Sequence, residues 1–411
     1  MASQSLISTI NGYENYIEKN GIDEQVINAY VDACSVAING EKDIEYGLQL
    51  TKRAKDIIEC FCKDKTGGTI WDLEKYAFAN KTEYELINWF YDILLIEAQN
   101  KVVDSFFRYI EKKREPKERF YMPRRKQFIK IGLIEALQGM IDDKYDILCI
   151  SLPPGTGKTT IEKFFHSAVI GWYSNGYNLF YSHSGDITRM YYDGVYDIVT
   201  NADEYTWGEV FPGLEVTSTN AKLEQFNVGK YKPFQSVQCT SVGSKNAGKV
   251  RANKFLLVDD MIGGIEEALN PTYLDKLWDK YAVDARQRKI PDEDGNPCKE
   301  IHIATRWSVR DVIGRIIQAY EGNKRVKVIS VPDVDPVTGE SNFDFEFGGY
   351  TVKDFEDIQL LMDEISYRCL YKQDPIEREG LLFPDDKIRR YLNLPHGEPE
   401  IITAQCDTKG K

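Results

Sequence analysis

The sequence predicts an α/β protein with a mainly parallel sheet flanked by helices, preceded by a helical N-terminal region. Three observations predict it. From residue 127 onward, short apolar runs alternate with segments of helical period. One of those runs, Asp146–Leu152, leads into a glycine-rich loop and then a helix-forming stretch. Residues 1–110, by contrast, carry helical periodicity and no glycine-rich loop or cluster of reactive side chains.

In residues 1–110 apolar side chains recur three and four apart, as in Leu86, Phe90, Ile93 and Leu94. Thr82 with Glu85 three residues later reads as a capping box ahead of that run. This region is expected to be a helical accessory domain that docks or regulates. Residues 111–126, EKKREPKERFYMPRRK, hold eight Lys or Arg against three Glu and read as a basic linker. A solvated connection is one reading of it. The other is a contact to a phosphate backbone, with Phe120 and Tyr121 stacking on bases.

Residues 127–340 carry the alternation. Gln127–Met140 and Thr159–Trp172 are amphipathic helix candidates. Asp146–Leu152, Asn178–His183, Val237–Val242, Phe255–Asp259, Ile301–Thr305 and Val326–Val331 are candidate strands. Continuous apolar runs of this kind suit parallel strands buried on both faces.

The composition narrows the function. The chain has 411 residues, enough for two or three domains. It has no apolar stretch near the roughly 20 residues of a membrane span and no basic n-region before an apolar run. No membrane association is therefore expected, and a cytosolic site is the default. Cys60 and Cys62 are one residue apart, wrong for zinc or a redox pair, and reduced thiols are expected. His166, His183, His302 and His396 do not pair at ligand spacing, which argues against structural zinc. A net charge of −13 argues against a surface coated in nucleic acid and leaves room for a local basic channel.

The chemistry begins at residues 151–160, SLPPGTGKTT. Pro154, Gly155, Thr156 and Gly157 form a loop between a strand and a helix. Glycines there let the backbone turn its N–H groups inward around a phosphate. The following helix N-terminus adds partial positive charge. Lys158 is placed to bridge the outer phosphates, Thr159 to hold Mg²⁺, and Thr160 to complete the cofactor-binding run. The usual pattern starts with a glycine where this chain has Leu152. An ordinary glycine-rich turn is the competing reading, and the strand–loop–helix context disfavours it.

Such a site needs a carboxylate for Mg²⁺ and a group to orient the attacking water. FLLVDD, residues 255–260, offers both about a hundred residues downstream. Asp259 is the expected metal ligand and Asp260 the base or water-orienting group. Adjacent strand residues face opposite ways, so their roles differ. The competing reading makes this pair a helix cap, with a helix starting in Met261–Glu267. A third segment, HIATRWSVRDVIGRI, places Thr305 and Arg306 at a strand tip, where parallel sheets bind ligands. They are candidates to sense the γ-phosphate, while Trp307 suits packing equally well.

Taken together, PPGTGKT, VDD with downstream Trp278, ATRW-x-x-x-D-x-x-G-R (Ala304–Arg315) and YKQDP-x-x-x-x-G-x-x-F (Tyr371–Phe383) resemble the large terminase subunit of tailed phages, over about residues 120–411. The loop is shared by many ATPases; the TRW and YKQDP segments are the specific ones. The resemblance implies a P-loop ATPase of the ASCE type, followed from about residue 395 by the start of an RNase H-like nuclease domain, with 341–394 as the connecting subdomain. It implies ATP and Mg²⁺ as cofactors and translocation of double-stranded DNA into a procapsid in the host cytoplasm. Implied partners are the portal protein, the small terminase subunit and further copies of the chain in a ring. Gln127 matches the adenine-contacting glutamine, Asp259 and Asp260 the Walker B pair, and Thr305–Trp307 the coupling motif. Many relatives carry an arginine inside the loop; this loop has none, and Arg251 in GKVRANK is the substitute candidate, with an ordinary exposed charge as the alternative. Asp407 matches the first metal ligand of the nuclease. The chain ends four residues later, so the remaining carboxylates needed for two-metal cleavage are expected to be missing. A helicase-like or remodelling ATPase is the alternative enzyme, and a non-hydrolysing nucleotide-binding adaptor the alternative outside that class.

Overall fold

The computed structural model describes residues 2–244 and 249–375. Its centre is an eight-stranded sheet. In chain order the strands are β1 (Ile147–Ser151), β2 (Asn178–Ser182), β3 (Val216–Asn220), β4 (Gln225–Val228), β5 (Val237–Ser241), β6 (Phe255–Asp259), β7 (Lys299–Ala304) and β8 (Val326–Ser330). Across the sheet they run β3-β4-β5-β2-β6-β7-β1-β8. The six strands from β5 to β8 in that order are mutually parallel, and the two antiparallel pairings, β3–β4 and β4–β5, lie at the β3 edge. The chain is therefore α/β, as expected.

Burial separates the strands that read as apolar runs from β3, which together with the short β4 is not read from the sequence. β1, β2 and β6 are buried at every position, so each reads as an apolar run. β3, Val-Thr-Ser-Thr-Asn, is almost wholly exposed at the sheet edge and carries no such signal. The N-terminal region is helical as read, but its cap is not Thr82. That helix starts at Glu85 behind Tyr84, which makes no side-chain cap, and Thr82 Oγ1 donates to the Asn80 carbonyl instead. True capping boxes join Thr69 to Asp72 and Thr351 to Asp354. The expected helix Gln127–Met140 is two helices, Tyr121–Lys130 and Leu133–Ile141, because Gly132 adopts φ +74° between them. A short helix, Ile265–Ala268, does begin within Met261–Glu267, but its N-cap is Gly264, so neither Asp259 nor Asp260 caps it.

The basic segment 111–126 is packed, not solvated. Arg119 is buried in an ion pair with Glu74, Arg125 pairs with Asp104 at 2.7 Å, and Arg114 reaches Glu204 at 3.0 Å. Tyr121 is fully buried and donates to Asp104, so it cannot stack on a base. Phe120 stacks on Phe164 of the helix that follows the glycine-rich loop. Through these contacts the N-terminal helices join the sheet's own core: one hydrophobic cluster runs from Leu6 through Phe106 and Phe164 to Phe355. No helix among the described residues is long and apolar enough to cross a membrane.

Candidate nucleotide-binding site

β1 and β6 are separated by one strand, β7, and all three end at the same edge of the sheet. The glycine-rich loop leaves β1, the paired aspartates end β6, and Thr305 follows β7. This placement brings three distant segments into contact. Lys158 is buried, and its Nζ donates to the carbonyls of Leu152 (2.9 Å) and Pro153 (3.1 Å) and to Thr305 Oγ1 (2.9 Å). Thr159 Oγ1 donates to Asp259 Oδ2 at 2.7 Å. Thr156 closes the loop by bonding the Pro153 carbonyl at 2.8 Å.

Gly155 and Gly157 take φ +75° and +94°, conformations that side chains disfavour. A methyl on Gly157 would also meet Phe120 at 2.5 Å, and one on Gly155 would collide with the Tyr350 hydroxyl. Glycine is needed at both positions for conformation and for space.

The two aspartates do face different ways. Asp259 points to the loop helix and Thr159. Its Oδ1 is buried without a partner among the described residues, and burial together with Asp260 pushes its carboxyl up to about 7. Asp260 sits at φ +34°, with its N–H donated to the Ile303 carbonyl and its Oδ1 accepting from Thr305 N at 3.1 Å. His183, just beyond β2, meets the Asp260 carbonyl through Nδ1 at 2.6 Å. No sequence motif marks His183; its signal is only its position at the tip of the strand beside β6. Glu162, one turn into the loop helix, is also buried with neither oxygen partnered, and burial, then Asp259 and Asp260, raises its carboxyl well above the ordinary range.

These residues fit a Mg-nucleotide. An orphaned carboxylate oxygen beside a threonine hydroxyl is the donor set Mg²⁺ uses when phosphates supply the rest. Among the described residues no group of three or more His, Cys, Asp or Glu side chains is placed to hold a metal ion.

Other expected site residues lie elsewhere. Arg306 is buried in an ion pair with Asp311, 2.9 Å from Nε to Oδ2, and does not point at the loop. Asp311 also accepts from Trp307 N and Ser308 N and caps the helix Val312–Ala319 through Gly314 N. Gly314 is required because a side chain there would strike the Val309 carbonyl. The TRW segment is thus a folded corner as well as a strand tip. Its Arg306 N–H donates to Gln373 Oε1 at 3.3 Å, so the TRW and YKQDP segments touch. Trp278 lies under Arg315, with the ring centre 5.8 Å from the guanidinium.

Arg251 precedes β6, at the opposite edge from Asp259. Its N–H donates to Gln238 Oε1 and its guanidinium to the Val250 carbonyl. β6 alone spans roughly 13 Å at about 3.3 Å per residue, so Arg251 cannot serve its own chain's site. Gln127 is bonded through Nε2 to the Asp344 carbonyl, and its Oε1 is buried without a partner. Thr160 continues the loop helix. Asp407 lies outside the described residues.

No protein-family model matches the chain, and no curated protein does. Among solved structures it is similar to the large terminase ATPase domain of Thermus phage P74-26, crystallised as an arginine-to-alanine variant. The identity is 12% and the TM-score 0.40, over 58% of this chain and 93% of that one. It is also similar to the HK97 bacteriophage large terminase, at 12% identity and TM-score 0.33, over 49% of this chain and 39% of that one. Overlaps this loose do not carry function, which is read from the site's own residues.

Proposed function

We propose that the chain is a Mg²⁺-dependent ATPase, the motor part of a phage DNA-packaging terminase. The observation that carries the reading is the meeting of Lys158, Thr159, Asp259 and Thr305 at one sheet edge, with one Asp259 oxygen buried and without a partner among the described residues. In this reading the loop N–H groups and Lys158 bind the phosphates. Thr159 and Asp259 hold Mg²⁺, which neutralises charge on the phosphates when bound. Asp260, fixed by Thr305 N and His183, orients the attacking water. Thr305 links the Lys158 ammonium to the TRW corner, and so offers a route from phosphate state to the YKQDP segment. Residues 1–110 are the accessory domain, 127–340 the motor, and 341–394 the connection toward a nuclease region. Double-stranded DNA, a portal and a ring of copies are the partners this role needs.

The test is steady-state ATP hydrolysis with and without double-stranded DNA. Lys158→Ala and Asp260→Asn should each lower kcat by about a hundredfold or more. Hydrolysis at the wild-type rate in Lys158→Ala removes the mechanism. Strand separation independent of any portal would favour the helicase-like alternative.

A further inference from the structure

Four arginines lie on the segment that packs against the loop helix, and they are not alike. Arg114, Arg119 and Arg125 each pair with a carboxylate. Arg124 pairs with none among the described residues. Its NH1 donates to the Phe120 carbonyl at 3.0 Å, and its Nε is buried with no acceptor. The nearest acid by charge, Glu111, is already engaged by the N–H groups of Phe120 (2.8 Å) and Tyr121 (2.9 Å). Burial accordingly pulls the Arg124 pKa down from its ordinary value, the mark of a cation without an anion.

The position of this cation matters. The guanidinium is held between two rings, 4.7 Å from the centre of Phe120 and 4.9 Å from that of Phe345. A methyl built on Gly157 would lie 3.7 Å from Arg124 Nε. Gly157 is the positive-φ residue that caps the N-terminus of the loop helix. A partly buried, unpaired cation is costly to maintain unless a ligand brings the missing charge. The two rings hold the planar fork in place, and its Nε N–H is left without an acceptor among the described residues.

We propose that Arg124 is a phosphate-binding residue: it supplies from outside the loop, in the same chain, the arginine that the loop PPGTG lacks, and its ligand is the polyphosphate of a nucleoside triphosphate. This rests on the nucleotide-binding reading of the loop. It also assigns a ligand-binding role to one arginine of a segment whose other arginines hold the fold together.

The experiment measures binding of ATP and AMP by competition against a fluorescent ATP analogue, on wild-type protein, Arg124→Ala and Lys158→Ala. Arg124→Ala should weaken ATP about tenfold or more while changing AMP less than about twofold, since the lost bonds are charge-assisted ones to the outer phosphates. Guanidinium ion at tens of millimolar should restore part of the ATP affinity to Arg124→Ala and do nothing for wild type. Equal weakening of ATP and AMP, or unchanged ATP affinity, overturns the proposal, because a merely structural arginine would not discriminate by phosphate number. If Arg124→Ala fails to fold, Arg124→Lys and Arg124→Met read the same quantity: the lysine variant should keep more of the ATP preference, and equal affinities in the two overturn the proposal. Wild-type-like ATP binding by Lys158→Ala would instead overturn the loop reading itself.

Discussion

Two buried carboxylate groups sit on neighbouring strands at opposite ends of the sheet, and their surroundings are reversed. At the start of β7, Glu300 is wholly buried and fully partnered. It accepts from Lys289 (2.6 Å), Arg286 (3.0 Å) and Tyr281 (2.5 Å), and His302 Nε2 lies 3.1 Å away. Burial pushes its pKa up, yet the bonds to His302 and Lys289 more than offset that and hold it far below the carboxylate range. At the end of β6 and on the loop helix, Asp259 and Glu162 are equally buried but keep oxygens with no partner. Their carboxyls shift the opposite way. The same residue class thus does two jobs. The paired end stabilises the fold, and in the proposed function a cation and a phosphate complete the unpaired end.

The largest effect should come from the paired end. Glu300→Gln leaves Lys289 and Arg286 facing a neutral group in the interior, and should cost about 3–5 kcal/mol in urea unfolding at pH 7. The sign with pH follows from the depressed pKa. Glu300's contribution is fully present above its unfolded value of about 4.5 and is lost as pH falls below it. The stability gap between wild type and Glu300→Gln should therefore narrow below about pH 4.5. A gap that stays constant to pH 3 would show that the cluster acts by shape rather than charge.

The unpaired end should be far more tolerant of neutralisation. Glu162→Gln replaces an acid whose carboxyl burial pushes toward the neutral form, so unfolding free energy should move by less than about 1 kcal/mol. A loss matching that of Glu300→Gln would mean that Glu162 is ionised and paired, and the contrast between the two ends would fail.

The contrast also explains what was legible in the sequence. The loop, the β6 acids and the parallel strands were readable because their residue types are dictated locally: glycine by positive φ at Gly155 and Gly157, apolar runs by burial on both faces. Arg306 could be placed on its strand tip but not aimed, since its ion pair with Asp311 depends on how the corner folds. Arg251 is close to Asp259 along the chain, while β6 carries the two to opposite edges of the sheet. The polar edge strand β3 had no periodic signal. Arg124 was hidden in a run of like charges, where only three-dimensional pairing separates it from Arg119 and Arg125.

The central claim, that the orphaned edge is completed by a Mg-nucleotide, is tested most directly by thermal unfolding with and without Mg·ATP. Ligand at about a hundred times its Kd should stabilise wild type by about 2.7 kcal/mol, raising Tm, and should leave Lys158→Ala unmoved while Glu300→Gln, though less stable, still responds. No rise in wild type, or an equal rise in Lys158→Ala, would contradict the account.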